Sequence, residues 1–379
     1  MTARPGAAPP AVDVVVVNWN TDGYLRSCLA ALAGSTGPVR FGRVVVVDNA
    51  STDGSADLPA AFDGVTMTGA GAGPADPAGR ADLAGAADST GRSTGAAFAG
   101  AGVLPVTVVS NPTNRGFAAA CNQGARLGSA PYLLLLNPDT VVRPDAVAAA
   151  AGFLESRAAA SVGICGGAVS RPDGSAGIAA SRFPTLGNVA AGVVGLDRIA
   201  PRLFPPRHLA PAELAESRPV DQVIGAFFLV RRGLWDQLRG LDERYFLYYE
   251  EVDFCRRARA LGWGTQLLVD AQLVHVANVS SRRSGGRALG HSLCSRTRYA
   301  ARHWTRPETA ALVALTLGVE LPLRLLRAVP HGGAELRAVA DAGGSYLRFL
   351  LSGGRDPAVG PAERPVPVAL PVQPSRSGR

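Results

Sequence analysis

Three carboxylates, Glu250, Glu251 and Asp253, fall within four positions, behind an aromatic run and ahead of Arg256 and Arg257. Like charges this close raise one another's proton affinity, and a carboxylate that is partly protonated near neutral pH suits removal of a proton from a hydroxyl. A solvated helix face explains the same letters, with Glu250 and Asp253 at i and i+3 and Arg257 one turn beyond Asp253. The aromatics oppose that second reading, because Phe and Tyr fill four of the eight positions 245–252 and would line a wall.

Three more polar clusters follow apolar runs. Asp48, Asn49 and Asp53 lie among Ser51, Thr52 and Ser55, a pattern that fits an Asx turn and equally fits hydrogen bonding to a nucleoside. Asn114, Gly116, Ala118, Ala120 and Gly124 put small residues at a helix start, where backbone approaches a ligand closely. Asn137-Pro138-Asp139 sets a carboxylate just past a strand. A divalent cation bridging phosphate oxygens fits there, and so does a proline turn that merely ends the strand.

The elements that must position these groups are short and apolar. Residues 14–17, 44–47, 106–109 and 132–136 read as buried strands, and Leu25, Cys28, Leu29 and Leu32 recur at helical spacing between the first two. Residues 117–127 read as a helix. Buried strands that end in polar residues predict a doubly wound α/β sheet with its ligand at the strands' carboxyl ends, so Asn18, Asp48, Asn114 and Asp139 should gather. No G-x-G-x-x-G follows the first strand and no P-loop occurs, which opposes a dinucleotide-binding domain or a P-loop nucleotidase.

The chain has 379 residues, 47% of them hydrophobic, enough for a sizeable core, and a net charge of +8 in which every basic residue is arginine. Arginine suits phosphate or anionic lipid. Zinc-finger spacing and base-stacking aromatic motifs are absent, which opposes nucleic acid as a partner. Five scattered cysteines without a C-x-x-C pair and a start that does not read as a secretory signal predict reduced thiols and a cytoplasmic catalytic part. Residues 1–10 and 353–379 read as disordered tails and residues 66–104 as a flexible Gly/Ala-rich insertion in a domain spanning 11–280. In a helical extension over 281–352, Glu320, Pro322 and Arg324 interrupt the apolar run. The uninterrupted stretch is too short to span a bilayer, and the flanking arginines fit an interfacial helix on anionic lipid or, alternatively, a helix packed on the domain.

In this order the motifs resemble glycosyltransferase family 2, and within it the rhamnosyltransferase-like branch. The resemblance is carried by residues 14–20, by Asp48-Asn49-x-Ser51-x-Asp53-Gly54-Ser55, by the Asn114 to Gly124 stretch, by Asn137-Pro138-Asp139, by residues 225–232 and by the acidic block. It implies the GT-A (Rossmann-like) nucleotide-diphospho-sugar transferase fold, α/β with a mostly parallel central sheet flanked by helices. Asp48 is then expected to recognise the base, with Asn18, Asn20, Asn49, Asp53, Asn114, Gly116 and Asn137 around the nucleoside and diphosphate. Asp139 takes the metal position of a D-x-D-like motif whose first acid is Asn137 here, and His275 completes coordination of Mn2+ or Mg2+. Without the resemblance, His275 reads equally as a satisfied core imidazole. Glu251 matches the base of the family's E-D-x-D motif, one methylene longer than the more usual Asp, with Glu250 and Asp253 as its neighbouring acids. Gly225, Ala226 and Phe227 are expected beside the donor sugar or acceptor, a buried strand being a compatible reading. The implied reaction is inverting transfer from a dTDP- or UDP-linked sugar to a glycan or polyprenyl-linked acceptor. A sugar nucleotidyltransferase is opposed by the lack of a basic Gly-rich loop over residues 18–23, and a degenerate sugar-nucleotide binding protein draws support only from Glu251 and Asn137.

Overall fold

β-branched residues pack well on a pleated surface, and the run at residues 14–17 forms the centre of β1 (Ala11–Asn18), all eight residues of which are buried. In this computed structural model, residues 8–21, 23–56, 66–69, 104, 106–276 and 286–355 are described. The tails expected at 1–10 and 353–379 lie largely outside them. So does the 66–104 segment, apart from Leu104 and residues 66–69, which form a strand rather than a flexible stretch.

The strands are β1, β2 (Arg40–Asp48), β3 (Thr66–Gly69), β4 (Val106–Ser110), β5 (Tyr132–Leu136), β6 (Thr140–Val142), β7 (Val162–Ser170), β8 (Ala180–Ser181), β9 (Arg218–Val220), β10 (Gln222–Val223), β11 (Phe227–Arg231) and β12 (Gly264–His275). Ten of them form one sheet, ordered β3-β4-β2-β1-β5-β11-β7-β12-β6, with β9 on β12. The first five run parallel, β11 enters antiparallel between β5 and β7, and β12 returns parallel to β7. Register sets the strand ends level, with Asn18 opposite Asp48 and Asp48 opposite Ser110.

Helix α1 (Tyr24–Ala33) buries Leu25, Cys28, Leu29 and Leu32, the stripe read from spacing. Helix α2 (Phe117–Ala125) lies so close to the sheet that a Cβ on Gly124 would come 2.6 Å from Val15 Cγ1. The small residues of α2 therefore serve contact with β1 and β2, which corrects the expectation that they open its face to a ligand. Buried Asp13 pins the sheet's lower end: it accepts from Arg43 N (2.9 Å), Ala130 N (2.7 Å) and Arg232 Nη2 (2.8 Å). A buried carboxylate persists only when hydrogen-bonded and paired in this way.

From Arg306 to His331 the chain forms one helix of 26 residues, with a π turn at Thr316–Glu320. It is long and apolar enough to cross a membrane by length and composition, which corrects the reading that Glu320 and Pro322 leave too short a segment. Glu320 is buried, paired with Arg296 and, at 2.9 Å, with Arg324.

Candidate active site

The ends of β1 and β2 are stitched together by amides and hydroxyls. Asn18 is fully buried, its Nδ2 lying 2.9 Å from Asp48 Oδ1, 3.1 Å from Ser51 Oγ and 2.9 Å from Ser55 Oγ, while its Oδ1 accepts from the Thr21 hydroxyl. Its polar atoms all face protein, so it holds Asp48 in place rather than meeting a ligand. Asn20, at φ 52°, accepts from Thr52 N at 2.7 Å, and Ser51 N donates to Asp48 Oδ2 at 3.1 Å. Asp53 and Asn114 each close a turn of the Asx kind, with Ser55 N and Gly116 N as their donors at 3.0 and 2.9 Å. Asn49 donates to Gly116 O at 3.1 Å and accepts from Asn111, which in turn bonds Gln123. Neither Asn111 nor Gln123 stood out in the sequence, and the only signal was their polarity beside a buried strand and in a small-residue helix.

Gly116 is required where it stands. Its φ of 84° is left-handed, and a Cβ there would sit 2.6 Å from Phe246 O, the atom that accepts from Phe117 N at 2.8 Å. The glycine thus joins the strand-end loops to the acidic block rather than opening space for a ligand.

Asp139 and His275 meet, with Nε2 3.1 Å from Oδ1. β6 and β12 pair antiparallel with His275 opposite Thr140, which brings residues 136 positions apart together. No cluster of three or more His, Cys, Asp or Glu among the described residues could hold a metal ion. Asn137 sits at the end of β5, its N–H bonded to Ala226 O at 3.2 Å. Ala226 and Phe227 are buried in the sheet, Phe227 paired opposite Leu136, so burial removes both from the expected acceptor contact. Gly225 alone of the three is partly open, beside Phe117.

The acidic block opens helix α7 (Glu250–Ala260) after two consecutive left-handed residues, Tyr248 at φ 69° and Tyr249 at φ 70°. Left-handed non-glycine backbone costs on the order of 1–3 kcal/mol per residue and persists only when its surroundings impose it. Those surroundings include helix α8 (Gly286–His303): Ser295 Oγ donates to Leu247 O at 2.9 Å, His291 stacks on Phe246, and Tyr299 packs on Tyr249.

Asp253, expected among the catalytic acids, is instead an anchor. Burial pushes its carboxyl up, but the His303 hydrogen bond at 2.7 Å and the Arg257 and Arg302 guanidiniums outweigh burial and hold it below the usual range. The Arg257 pair anticipated from i, i+4 spacing exists, although in the interior rather than on a wet surface. Glu250 and Glu251 are different, for each keeps a buried Oε2 with no hydrogen-bond partner among the described residues. Burial, then the charge of Glu251, pushes Glu250 well up. Burial also raises Glu251, opposed by backbone hydrogen bonds and Arg207, and this side chain remains partly accessible. The arrangement leaves a partly accessible carboxylate of raised proton affinity at the start of α7.

The family model described as glycosyltransferase like family 2 matches residues 87–298, more than half of the chain. The chain belongs to that family. This glycosyltransferase is 28% identical over 222 residues to the N-acetylglucosaminyl-diphospho-decaprenol L-rhamnosyltransferase of Mycobacterium tuberculosis (strain H37Rv), over 53% of this chain and 70% of that one. It is 25% identical over 174 residues to rhamnosyltransferase WbbL of Escherichia coli (strain K12), over 45% and 62% respectively. Among solved structures, GalNAc-T7 with UDP, GalNAc and Mn2+ matches with a TM-score of 0.50 at 12% identity, covering 91% of this chain and 56% of that one. The glycosyltransferase has the GT-A fold its motifs implied, a mostly parallel sheet flanked by helices with further helices at the C-terminal end.

Proposed function

We propose that this family 2 glycosyltransferase is inverting and moves a sugar, rhamnose foremost, from a dTDP- or UDP-linked donor to a hydroxyl of a polyprenyl-linked or cell-surface glycan. The reading rests on Glu251, which stands partly accessible at the start of α7 with its proton affinity raised by burial. The acceptor hydroxyl passes its proton to Glu251 as its oxygen bonds to the anomeric carbon. The bond from that carbon to the diphosphate oxygen breaks, and its electron pair leaves with the nucleotide diphosphate. One displacement inverts the anomeric configuration. Glu250 is buried, and the charge of Glu251 adds to burial in raising its proton affinity.

Asp48, Asp53 and Asn114 are the polar groups presented to the nucleoside, while Asn18, Asn20 and Asn49 position them. Asp139 and His275 would hold Mn2+ or Mg2+ through one oxygen and one nitrogen, a donor set that fits such an ion if phosphate oxygens and water complete it. A divalent ion bound there would neutralise the departing diphosphate.

The relatives' names support rhamnose and, for the mycobacterial enzyme, a diphospho-decaprenol acceptor. Exposed Leu325, Leu326 and Val329 on the Arg306–His331 helix, with Arg324 and Arg327 alongside, suit peripheral contact with an anionic membrane at its cytoplasmic face. The testing experiment is nucleotide release from dTDP-rhamnose, UDP-sugars and GDP-mannose with a polyprenyl-linked acceptor, in Mn2+ and in EDTA. Release from a dTDP- or UDP-sugar only with metal is expected. A response to the GDP-sugar alone would overturn the donor, and full activity in EDTA would overturn the metal.

A further inference from the structure

A concavity bordered by Tyr249 lies between helix α4 (Leu186–Val194), the segment after it, and residues 323–327. Its volume is about 380 Å³, in the range of small-molecule sites. Five arginines line it, Arg198, Arg207, Arg296, Arg324 and Arg327, against two carboxylates, Asp197 and Glu320. Glu320 is already committed to Arg296 and Arg324. Arg198 and Arg327 are exposed, and among the described residues neither has a carboxylate within ion-pairing distance.

Among the described residues Arg207 Nε and Arg296 Nε have no hydrogen-bond partner, and Arg296 as a whole is only 9% exposed. A buried guanidinium N–H without an acceptor is costly, so the protein does not fully offset the positive charge around this cavity. The surplus positive charge of the lining suits an anion with several oxygens, which arginine forks recognise.

Arg207 links the cavity's lining to the proposed base. Arg207 lies over the Tyr249 ring, 4.8 Å from its centroid, and bonds its hydroxyl at 3.2 Å. Tyr249 directly precedes Glu250, and Arg207 is the cation that acts on Glu251. On the two elements that wall the outer rim, large apolar side chains face water: Ile199 (79% exposed), Leu203 (77%) and Leu326 (67%). Arginines lining the cavity and exposed apolar side chains on the neighbouring stretches of chain match an amphiphile with a phosphate head.

We propose that this cavity holds the diphosphate of a lipid-linked acceptor, its sugar directed past Tyr249 to Glu251 and its hydrocarbon leaving over Ile199, Leu203 and Leu326. The inference rests on the polyprenyl-linked acceptor reading above and assigns that acceptor its anion site. The test is calorimetric titration of the full chain with farnesyl diphosphate, inorganic diphosphate and farnesol, the donor site being first filled with dTDP or UDP and Mn2+. Farnesyl diphosphate should bind about tenfold more tightly than either fragment, and Arg198→Glu with Arg327→Glu should weaken it about tenfold with an unchanged melting midpoint. Unchanged affinity in that double variant would overturn the site. Equal affinity for inorganic diphosphate would overturn the lipid carrier. The nucleotide titration that fills the donor site is an independent readout: its failure would sink the donor assignment, while the farnesyl diphosphate result still decides the cavity.

Discussion

At the ends of β1 and β2, Asn18, Asn20 and Asn49 spend their side chains on hydrogen bonds within the protein, whereas at the start of α7 Glu250 and Glu251 each leave a buried oxygen without a partner among the described residues. Three residues past Glu250, on the same helix, Asp253 returns to the first pattern, with His303, Arg257 and Arg302 around it. The difference teaches what each group is for. A satisfied network fixes geometry, and a carboxylate denied partners keeps its proton affinity available for chemistry at a cost in stability.

The largest effect expected is at the anchor. Asp253→Ala leaves the Arg257 and Arg302 guanidiniums without their shared carboxylate and His303 without its partner, and should cost about 3–5 kcal/mol in urea unfolding. A loss well under 1 kcal/mol would break the distinction between Asp253 and its neighbours.

Next comes the strand-end network, where Asn18→Ala strands Asp48, Ser51 and Ser55. A loss of about 1–3 kcal/mol is expected, together with a raised KM for the donor and a smaller change in kcat. An unchanged KM would show that Asp48 does not depend on Asn18 for its position.

The smallest effect has the opposite sign. Glu250 in the folded chain holds its proton well above the ordinary glutamate range, so its contribution to stability is intact below the unfolded value near 4.5 and is lost as pH rises toward the folded one. Asp253 is held below its ordinary value, so its contribution is present above about 3.8 and is lost as pH falls. Glu250→Gln should therefore raise the melting midpoint at pH 8 and change it little at pH 4. A lower midpoint at pH 8 would mean that Glu250 has partners when ionised.

The parallel strands β1, β2, β4 and β5 were legible in the sequence, because they are β-branched or leucine runs that stop at polar residues, and parallel register then lines those residues up. The Asp139–His275 meeting was legible only through the family resemblance, since it depends on an antiparallel return across the sheet. Asp13 carried a signal that went unread. A carboxylate inside a fully buried strand must find a partner, and here that partner is Arg232, 219 residues away. The backbone at Tyr248 and Tyr249 left no local trace, because left-handed tyrosines are imposed by the α8 contacts rather than by their own preference. For the same reason Asp253 looked like a third catalytic acid, when the groups that claim it include Arg302 and His303 from a helix outside the matching motifs.

The account turns on Glu251 as base, and the most direct test compares donor binding with transfer in Glu251→Gln. The substitution keeps size and removes the proton acceptor, so affinity for the dTDP- or UDP-sugar should stay within about twofold while transfer to the acceptor falls by about a thousandfold. Transfer retained within tenfold of the parent at saturating donor would contradict the assignment.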